Sequence, residues 1–346
     1  MRKTIEKIRE IFVLSRLLPS LILLLLTTSC TVNGPREELA VKEVQKLQLT
    51  GPISNRLAEI SGLTWFKDYL IFLPQYPNFP KKSGGGRIFA LHKRDIYKAI
   101  TDGSVLHPLE IEFKGPNLQN ILPGFEGYEA IVFSGNTAFL TIEVEPSPGK
   151  AYALIVTASM AEDLSSLQLS FVDIERSIRV ESPSHIPNMS EESLVIIGHS
   201  LYSIHEANGK SVNQRPVAHG FSLRRSGQNN IPFPALPYRV TDATAADKNN
   251  KFWVINYFYR GDKKLAGDPD ILQEDEIGLN PGGLERIVEL QYEDEAIKRT
   301  KKAAITLKPL PGKSRNWEGI VRLEDKGFLL VSDKFPTTEF AFVPVQ

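Results

Sequence analysis

This sequence predicts an all-β fold, a propeller of five blades, and three observations carry the prediction. A hairpin pattern with a polar residue at each open end occurs five times. The two polar residues are 14 positions apart in four copies and 15 apart in the fifth. Between the copies lie further runs of strand character, enough to give each unit about four strands, the makeup of a propeller blade.

Taken in order, the first copy, "ISGLTWFKDYLIFLPQYP", runs from Ser61 to Gln75 around a turn at Lys67 and Asp68. The second, "YEAIVFSGNTAFLTIEVE", runs from Glu129 to Glu143 around Ser134 to Asn136. The third, "EESLVIIGHSLYSIHEAN", runs from Glu192 to Glu206 with a turn near Gly198. The fourth, "TDATAADKNNKFWVINYF", runs from Asp242 to Asn256 around Asp247 to Asn250. The fifth, "NWEGIVRLEDKGFLLVSDKF", runs from Glu318 to Asp333 around Glu324 to Gly327. Each pairs two short runs rich in β-branched and aromatic residues across a Gly/Asn/Asp/Lys turn. Antiparallel pairing sets the first residue of one strand opposite the last of the next, so both polar residues of a copy fall at the end away from the turn.

The remaining strands are "GRIFALHK" after the first hairpin, "GLERIVELQY" after the fourth, and "HPLEIEF", "LQLSFVDI" and "AAITLKPL" ahead of the following copies. The last blade has little chain beyond Val345. The segment "EVQKLQLTG", Glu43 to Gly51, is expected to supply its outer strand and close the ring, which removes exposed sheet edges. The long interval between 242 and 318 could hold a sixth blade; its polar part, "GDKKLAGDPDILQEDEIGLNPG", reads as a loop over one face.

Lys plus Arg and Asp plus Glu number 41 each in 346 residues, so the net charge is zero. That excludes the basic excess of a nucleic-acid binder. The N-terminus is a separate matter. "MRKTIEKIREIFVLSR" is basic, and "LLPSLILLLLTTSC" is a short apolar core ending in small residues and Cys30, the only cysteine. Residues 1–29 have the layout of an export signal, and "LTTSC" resembles a lipobox with Thr27 in the usual leucine position and Leu26 one place back. The expectation is a lipoprotein that begins at Cys30 and is anchored by lipid in the bacterial cell envelope; an ordinary signal peptide cut nearby and a retained anchor are the alternatives. Thr31 favours the outer membrane in a two-membrane bacterium. Residues 30–42 read as a tether and 43–346 as one propeller domain, expected to be a monomer.

In a propeller the first strand of each blade lines the central channel. One end of that channel would hold Ser61, Glu129, Glu192, Asp242 and Glu318, with Gln75, Glu143, Glu206, Asn256 and Asp333 beside them. So many converging carboxylates repel one another, and a bound cation, Arg or Lys partners, or raised pKa values must relieve the repulsion.

Several of these elements resemble the family called the esterase-like domain of phytase. "NWEGI" with "LLVSDK", "YEAI" with "FLTIE", and "PNMSEESL" with "LYSIHE" carry the resemblance; "ISGLTW" with "IFLPQ", and "GRIFAL", fit it too. It covers nearly everything from Ile53 to the C-terminus. It implies a secreted β-propeller acting on phosphoric or carboxylic esters, and it points by position to Glu129, Glu143, Glu192, Glu206, Glu318 and Asp333. The chain departs from the family at Ser61, Gln75 and Asn256, and "TDATA" replaces the Glu-Gly-Ile pattern.

The acids offer oxygen chemistry suited to Ca²⁺, with Glu129, Glu143, Glu192, Glu206, Asp242, Glu318 and Asp333 as candidate ligands. Zinc would want more His and Cys. The acids could equally be structural, accepting backbone N–H groups of the neighbouring blade and holding the ring closed. No Gly-x-Ser-x-Gly elbow is present, and Ser200 in "GHSLY" lacks its context, so a serine hydrolase of that type is excluded. The remaining enzymatic route is a metal-activated water with Glu129, Glu192 and Glu318 as catalytic candidates. Arg239, Arg260 and Lys334 are candidate contacts to a phosphate or ester ligand, or charge balance for the acids. His205 should point away from Glu206 by strand alternation. "SGGGR" has no helix after it and reads as a blade turn, and "EDEAIKRTKK" as a solvated loop. Two functions stay open: a metal-dependent ester hydrolase on the envelope, or a non-catalytic propeller that binds a ligand or partner there.

Overall fold

A computed structural model describes residues 41–80, 86–224, 227–259, 261–267, 284–310, 315–333 and 337–345. Cys30 with its signal segment, Arg260 and Lys334 lie outside the described residues.

The hairpins form where the sequence places them, and their turns explain the spacing. Phe66 pairs with Tyr69, Ser134 with Thr137 and Ile197 with Ser200, leaving two-residue turns. Lys67, Gly135 and Gly198 supply the positive φ such turns need, at 54°, 60° and 61°. In the fifth hairpin Leu323 pairs with Gly327. Three residues make that turn instead of two, which is why its polar residues stand one position further apart.

Five blades follow in order. Their inner strands are Ile60–Phe66, Phe125–Ser134, Glu191–Ile197, Arg239–Ala243 and Trp317–Leu323. Each contacts the inner strand of the next blade, and the fifth contacts the first, so the five close a ring. The second strands are Tyr69–Pro74, Thr137–Val144, Ser200–His205, Lys251–Phe258 and Gly327–Ser332. The third are Gly86–His92, Tyr152–Met160, Val217–Ser222, Leu284–Glu293 and Phe340–Pro344. The expected closure is present: Gln45–Leu47 pairs with Phe340–Pro344, Gln45 against Phe342 and Leu47 against Phe340. Among the described residues there is no sixth blade. Lys263–Gly267 makes a short 3₁₀ turn whose Leu265 packs with Met189 and Ala207.

Each pair of adjacent blades encloses its own apolar cluster. Phe72 and Phe340 meet between blades 5 and 1, Tyr128 and Ile88 between 1 and 2, Leu194 and Ile155 between 2 and 3, Val195 and Val254 between 3 and 4, and Trp253 and Phe328 between 4 and 5. Burying each such side chain contributes about 1.5–3 kcal/mol, so the stability lies between blades as much as within them.

Three readings of the sequence need correction. "LQLSFVDI" gives only its first two residues to a strand, Ser166–Gln168; Phe171–Glu175 is helical, started by a reciprocal Ser170–Asp173 cap. "AAITLKPL" yields only the two-residue strand Ile305–Thr306. The helix Lys93–Asp102 was not anticipated. Among the described residues no helix is long and apolar enough to cross a membrane.

A further correction bears on the site. Simple pairing sets the two polar residues of each hairpin opposite each other, and they are not. Gln75 bonds Glu59, Glu143 pairs with Gly127, Glu206 bonds Ser190, Asn256 pairs with Val240 and Asp333 bonds Asn316. In every blade the partner lies two residues before the expected one. The cause is a β-bulge. Ser61, Glu129, Glu192 and Glu318 are each skipped by the ladder, and in blade 4 the register shifts across Thr241 and Asp242. A bulge bends the strand and re-aims the extra side chain. Here it places Ser61, Glu129, Glu192 and Glu318 in the lining of the channel mouth.

Candidate active site

The channel mouth is a polar cavity of about 390 Å³. Glu129, Glu143, Glu192, Glu318 and Asp333 line it, with Arg239 among them. Glu129, Glu192 and Glu318 come from the bulges of blades 2, 3 and 5, while Glu143 is next to last in the second strand of blade 2 and Asp333 directly follows that of blade 5. Glu129 and Glu192 are buried in the wall, and Glu143 is 1% exposed.

Two of the acids are oriented by neighbours. Gln75 Nε2 donates to Glu129 Oε1 at 3.0 Å, and the Tyr257 hydroxyl donates to Glu318 Oε1 at 3.0 Å. Burial pushes the carboxyls of Glu129, Glu192 and Glu318 well above the usual range, and their mutual repulsion, with Glu143 and Glu206, adds to it. Burial and Glu206 push Glu143 up to about 8. Without a cation, burial and mutual repulsion therefore favour the protonated forms of Glu129, Glu143, Glu192 and Glu318.

Arg239 lines the cavity with its fork already engaged. Its Nη1 donates to Glu206 Oε1 at 2.6 Å, and its Nε and Nη2 donate to the Asp262 carboxylate at 2.6 and 2.9 Å. This is the charge-balance arrangement foreseen as the alternative to a substrate contact. Glu206 sits behind the guanidinium rather than in the cavity lining, and burial raises its carboxyl against the opposing pull of Arg239.

Asp242 and Asn256 are turned elsewhere. Asp242 accepts the backbone N–H of Ile320 and of Ala243 at 2.8 Å and that of Leu63 at 3.4 Å. It thus pins the inner strands of blades 4, 5 and 1. Asn256 donates to the carbonyls of Pro237 and Arg239 and accepts from Arg286 Nε. Ser61 donates to the carbonyls of Tyr128 and Leu73. The structural role weighed for the ring acids therefore holds at Asp242, and the seven expected metal ligands do not form one shell. Among the described residues no three His, Cys, Asp or Glu side chains are grouped closely enough to hold a metal ion by themselves. His205 is fully buried on the blade 2 side, its Nδ1 accepting from Ala207 N–H and its Nε2 bonded to Ser182 Oγ.

Sequence reasoning missed Glu59, Glu126, Tyr76, Asn188, Tyr257, Tyr259 and Asn316, all in the lining, and Asp262. Two signals were there to read. Tyr76 and Tyr257 each follow the second polar residue of a hairpin, and Glu59 and Asn316 lie two residues before the first. The second signal means something only once the bulge is known.

The fold and the site together define a β-propeller with an acid-lined central cavity. No family model matches the chain, and no curated protein matches it in sequence. Solved structures with a similar course of chain include an exo-β-1,3-galactanase from Clostridium thermocellum, at TM-score 0.47 and 11% identity over 88% of this chain and 62% of that one. A GH43 endo-arabinanase from Bacillus licheniformis has TM-score 0.46 and 10% identity over 86% and 96%. A soluble aldose sugar dehydrogenase from Escherichia coli has 0.45 and 11% over 88% and 99%. The propeller assignment rests on the blades and ring described above.

Proposed function

We propose that the chain is a calcium-dependent hydrolase of phosphoric or carboxylic esters, held in the cell envelope by lipid on Cys30, with the acid-lined cavity as its active site. One observation carries the reading: bulges in blades 2, 3 and 5 aim Glu129, Glu192 and Glu318 into one cavity whose guanidinium, Arg239, is already balanced by Glu206 and Asp262. Carboxyl oxygens gathered without matching cations can give up their protons to a bound cation, which relieves their mutual repulsion.

The donor set suits calcium, which takes six to eight oxygens from carboxylates, amides, carbonyls and water. Glu143 Oε1 and Asn316 Oδ1 are buried oxygens without a hydrogen-bond partner among the described residues. Glu129, Glu143, Glu192 and Glu318 would hold the ion, with water completing the shell, since these acids are not preassembled as a cluster. The ion, when bound, would polarise an ester oxygen and lower the pKa of a coordinated water. The chain's own groups do the rest: Gln75 fixes Glu129, the Tyr257 hydroxyl fixes Glu318, and Tyr76 and Tyr257 close the wall.

The second reading is a non-catalytic propeller that binds a ligand or partner. The commitment of Asp242 and Asn256 to backbone and to Arg286 favours it, because two of the five blades then give the cavity no acid from the repeat. Metal analysis of the purified protein, with assays on phytate and p-nitrophenyl esters, separates the two. The hydrolase reading expects bound calcium and, in Glu318→Gln, activity lowered at least ~100-fold, about 2.7 kcal/mol of transition-state stabilisation, with an unchanged fold. A metal-free, inactive wild-type protein leaves the binding reading standing.

A further inference from the structure

A second cavity, of about 380 Å³, opens between blades 2 and 3 at the turn end of the hairpins, away from the channel mouth. Its size falls in the range of about 300–1,000 Å³ typical of small-molecule sites. Blade 2 contributes Phe139, Ile155 and Ile178 to its walls, and blade 3 contributes Leu201, Phe221 and Leu223. These belong to or extend the apolar cluster between the two blades; Ile178 is 39% exposed. The blades therefore part at this end and leave apolar surface facing a gap.

The rim is polar and carries Arg176 and Asp173. Arg176 lines the gap, and Arg224 directly follows Leu223. Neither has an acidic partner at ion-pair distance among the described residues. Asp173 also lines the gap and feels the charge of Arg176, but its oxygens accept from the backbone N–H and hydroxyl of Ser170 and from the Thr157 hydroxyl, so they make no ion pair with the guanidinium. Arg176 is left with five N–H donors and the planar geometry suited to a carboxylate or sulfonate.

We propose that this gap is a binding site for a small amphipathic anion, its apolar body against Phe139, Ile155, Leu201 and Phe221 and its acidic head on Arg176. The two halves of the site belong together, because a ligand with only an apolar body would leave the arginine in water, and one with only a charge would leave the walls uncovered. The site lies at the opposite end of the blades from the acid cavity and needs neither metal nor hydrolysis.

The test is calorimetric titration of the whole chain with decanoate and decan-1-ol, which share a body and differ in the head. Decanoate should bind saturably with one site, at least tenfold tighter than decan-1-ol. Arg176→Ala should abolish that preference and leave the binding of decan-1-ol unchanged. Ser222→Trp, at an exposed rim position, should block both ligands while keeping the melting temperature. Glu318→Gln and calcium should change nothing, which keeps this result separate from that of the acid cavity. The proposal is overturned if neither ligand saturates, if the two bind equally to the wild-type protein, or if decanoate binding survives both Arg176→Ala and Ser222→Trp.

Discussion

Glu143 shows in one residue what the cavity does to its acids. Its folded pKa is about 8 against an ordinary 4.5, with burial the first cause. The folded chain thus keeps a proton that the unfolded chain gives up above pH 4.5. A group of this kind favours the folded state fully below pH 4.5, and the advantage is lost as the pH rises toward 8, at up to about 1.4 kcal/mol for each pH unit. Metal-free protein should therefore melt at progressively lower temperature from pH 5 to pH 8, and Glu143→Gln should flatten the decline; a flat profile in the wild-type protein would count against raised acids. Glu191 and His219 are shifted by their pairing instead, and Glu191 in the opposite direction to Glu143. Their side chains face each other at 3.5 Å between buried strands, and this pairing outweighs burial, holding Glu191 below and His219 above ordinary values. The contribution of Glu191 is present above pH 4.5 and fades as the pH falls; that of His219 is present below pH 6.5 and fades as the pH rises through its raised value. Replacing His219 by Ala strands a buried carboxylate, so denaturant titration at pH 6 should show a loss of ~3 kcal/mol.

At the scale of elements, the hairpins and their turns were legible because side-chain alternation and turn residues are local. The closing strand was legible too, since a last blade that ends at Val345 must find its fourth strand elsewhere. The bulges were not. A bulge leaves no composition mark, and Ser, Glu and Asp all occupy these here. The helix Lys93–Asp102 was hidden because its apolar face is short, with only Ile96 and Ala99 buried. Asp242 was read as a channel acid because its position in the repeat is right. Its fate is decided by N–H groups of Leu63 and Ile320, far away in sequence. Asp242→Asn should make the point. It replaces one acceptor oxygen by a donor that faces backbone donors, and each unmatched buried group costs about 1–3 kcal/mol. The variant should lose that much stability without altering any calcium response. At the same scale, deleting Glu43 to Gly51 removes the strand that covers Phe340–Pro344 and the buried Leu47. Aggregation or loss of cooperative unfolding is expected, and a well-folded monomer would show that the ring closes without it.

At the scale of the whole molecule, five blades with five separate interblade clusters make a rigid ring, and the ring holds acids together that would otherwise separate. The repulsion among Glu129, Glu192 and Glu318 is relieved either by protons or by a cation, and the two compete for the same oxygens. Calcium binding must then release protons and strengthen as the pH rises. A ligand that binds only the folded chain adds about 2.7 kcal/mol at a hundred times its dissociation constant. The expected result is a calcium-induced rise in melting temperature that is small at pH 5.5 and several degrees larger at pH 8, together with proton release measurable by calorimetry in two buffers. Chelator should reverse the rise, and Glu318→Gln should weaken it because one anionic oxygen is removed while the shape is kept. If the acids serve only to hold the ring, calcium and chelator will leave the melting temperature unmoved at both pH values, while the decline of metal-free stability with pH will remain, since that decline needs only burial.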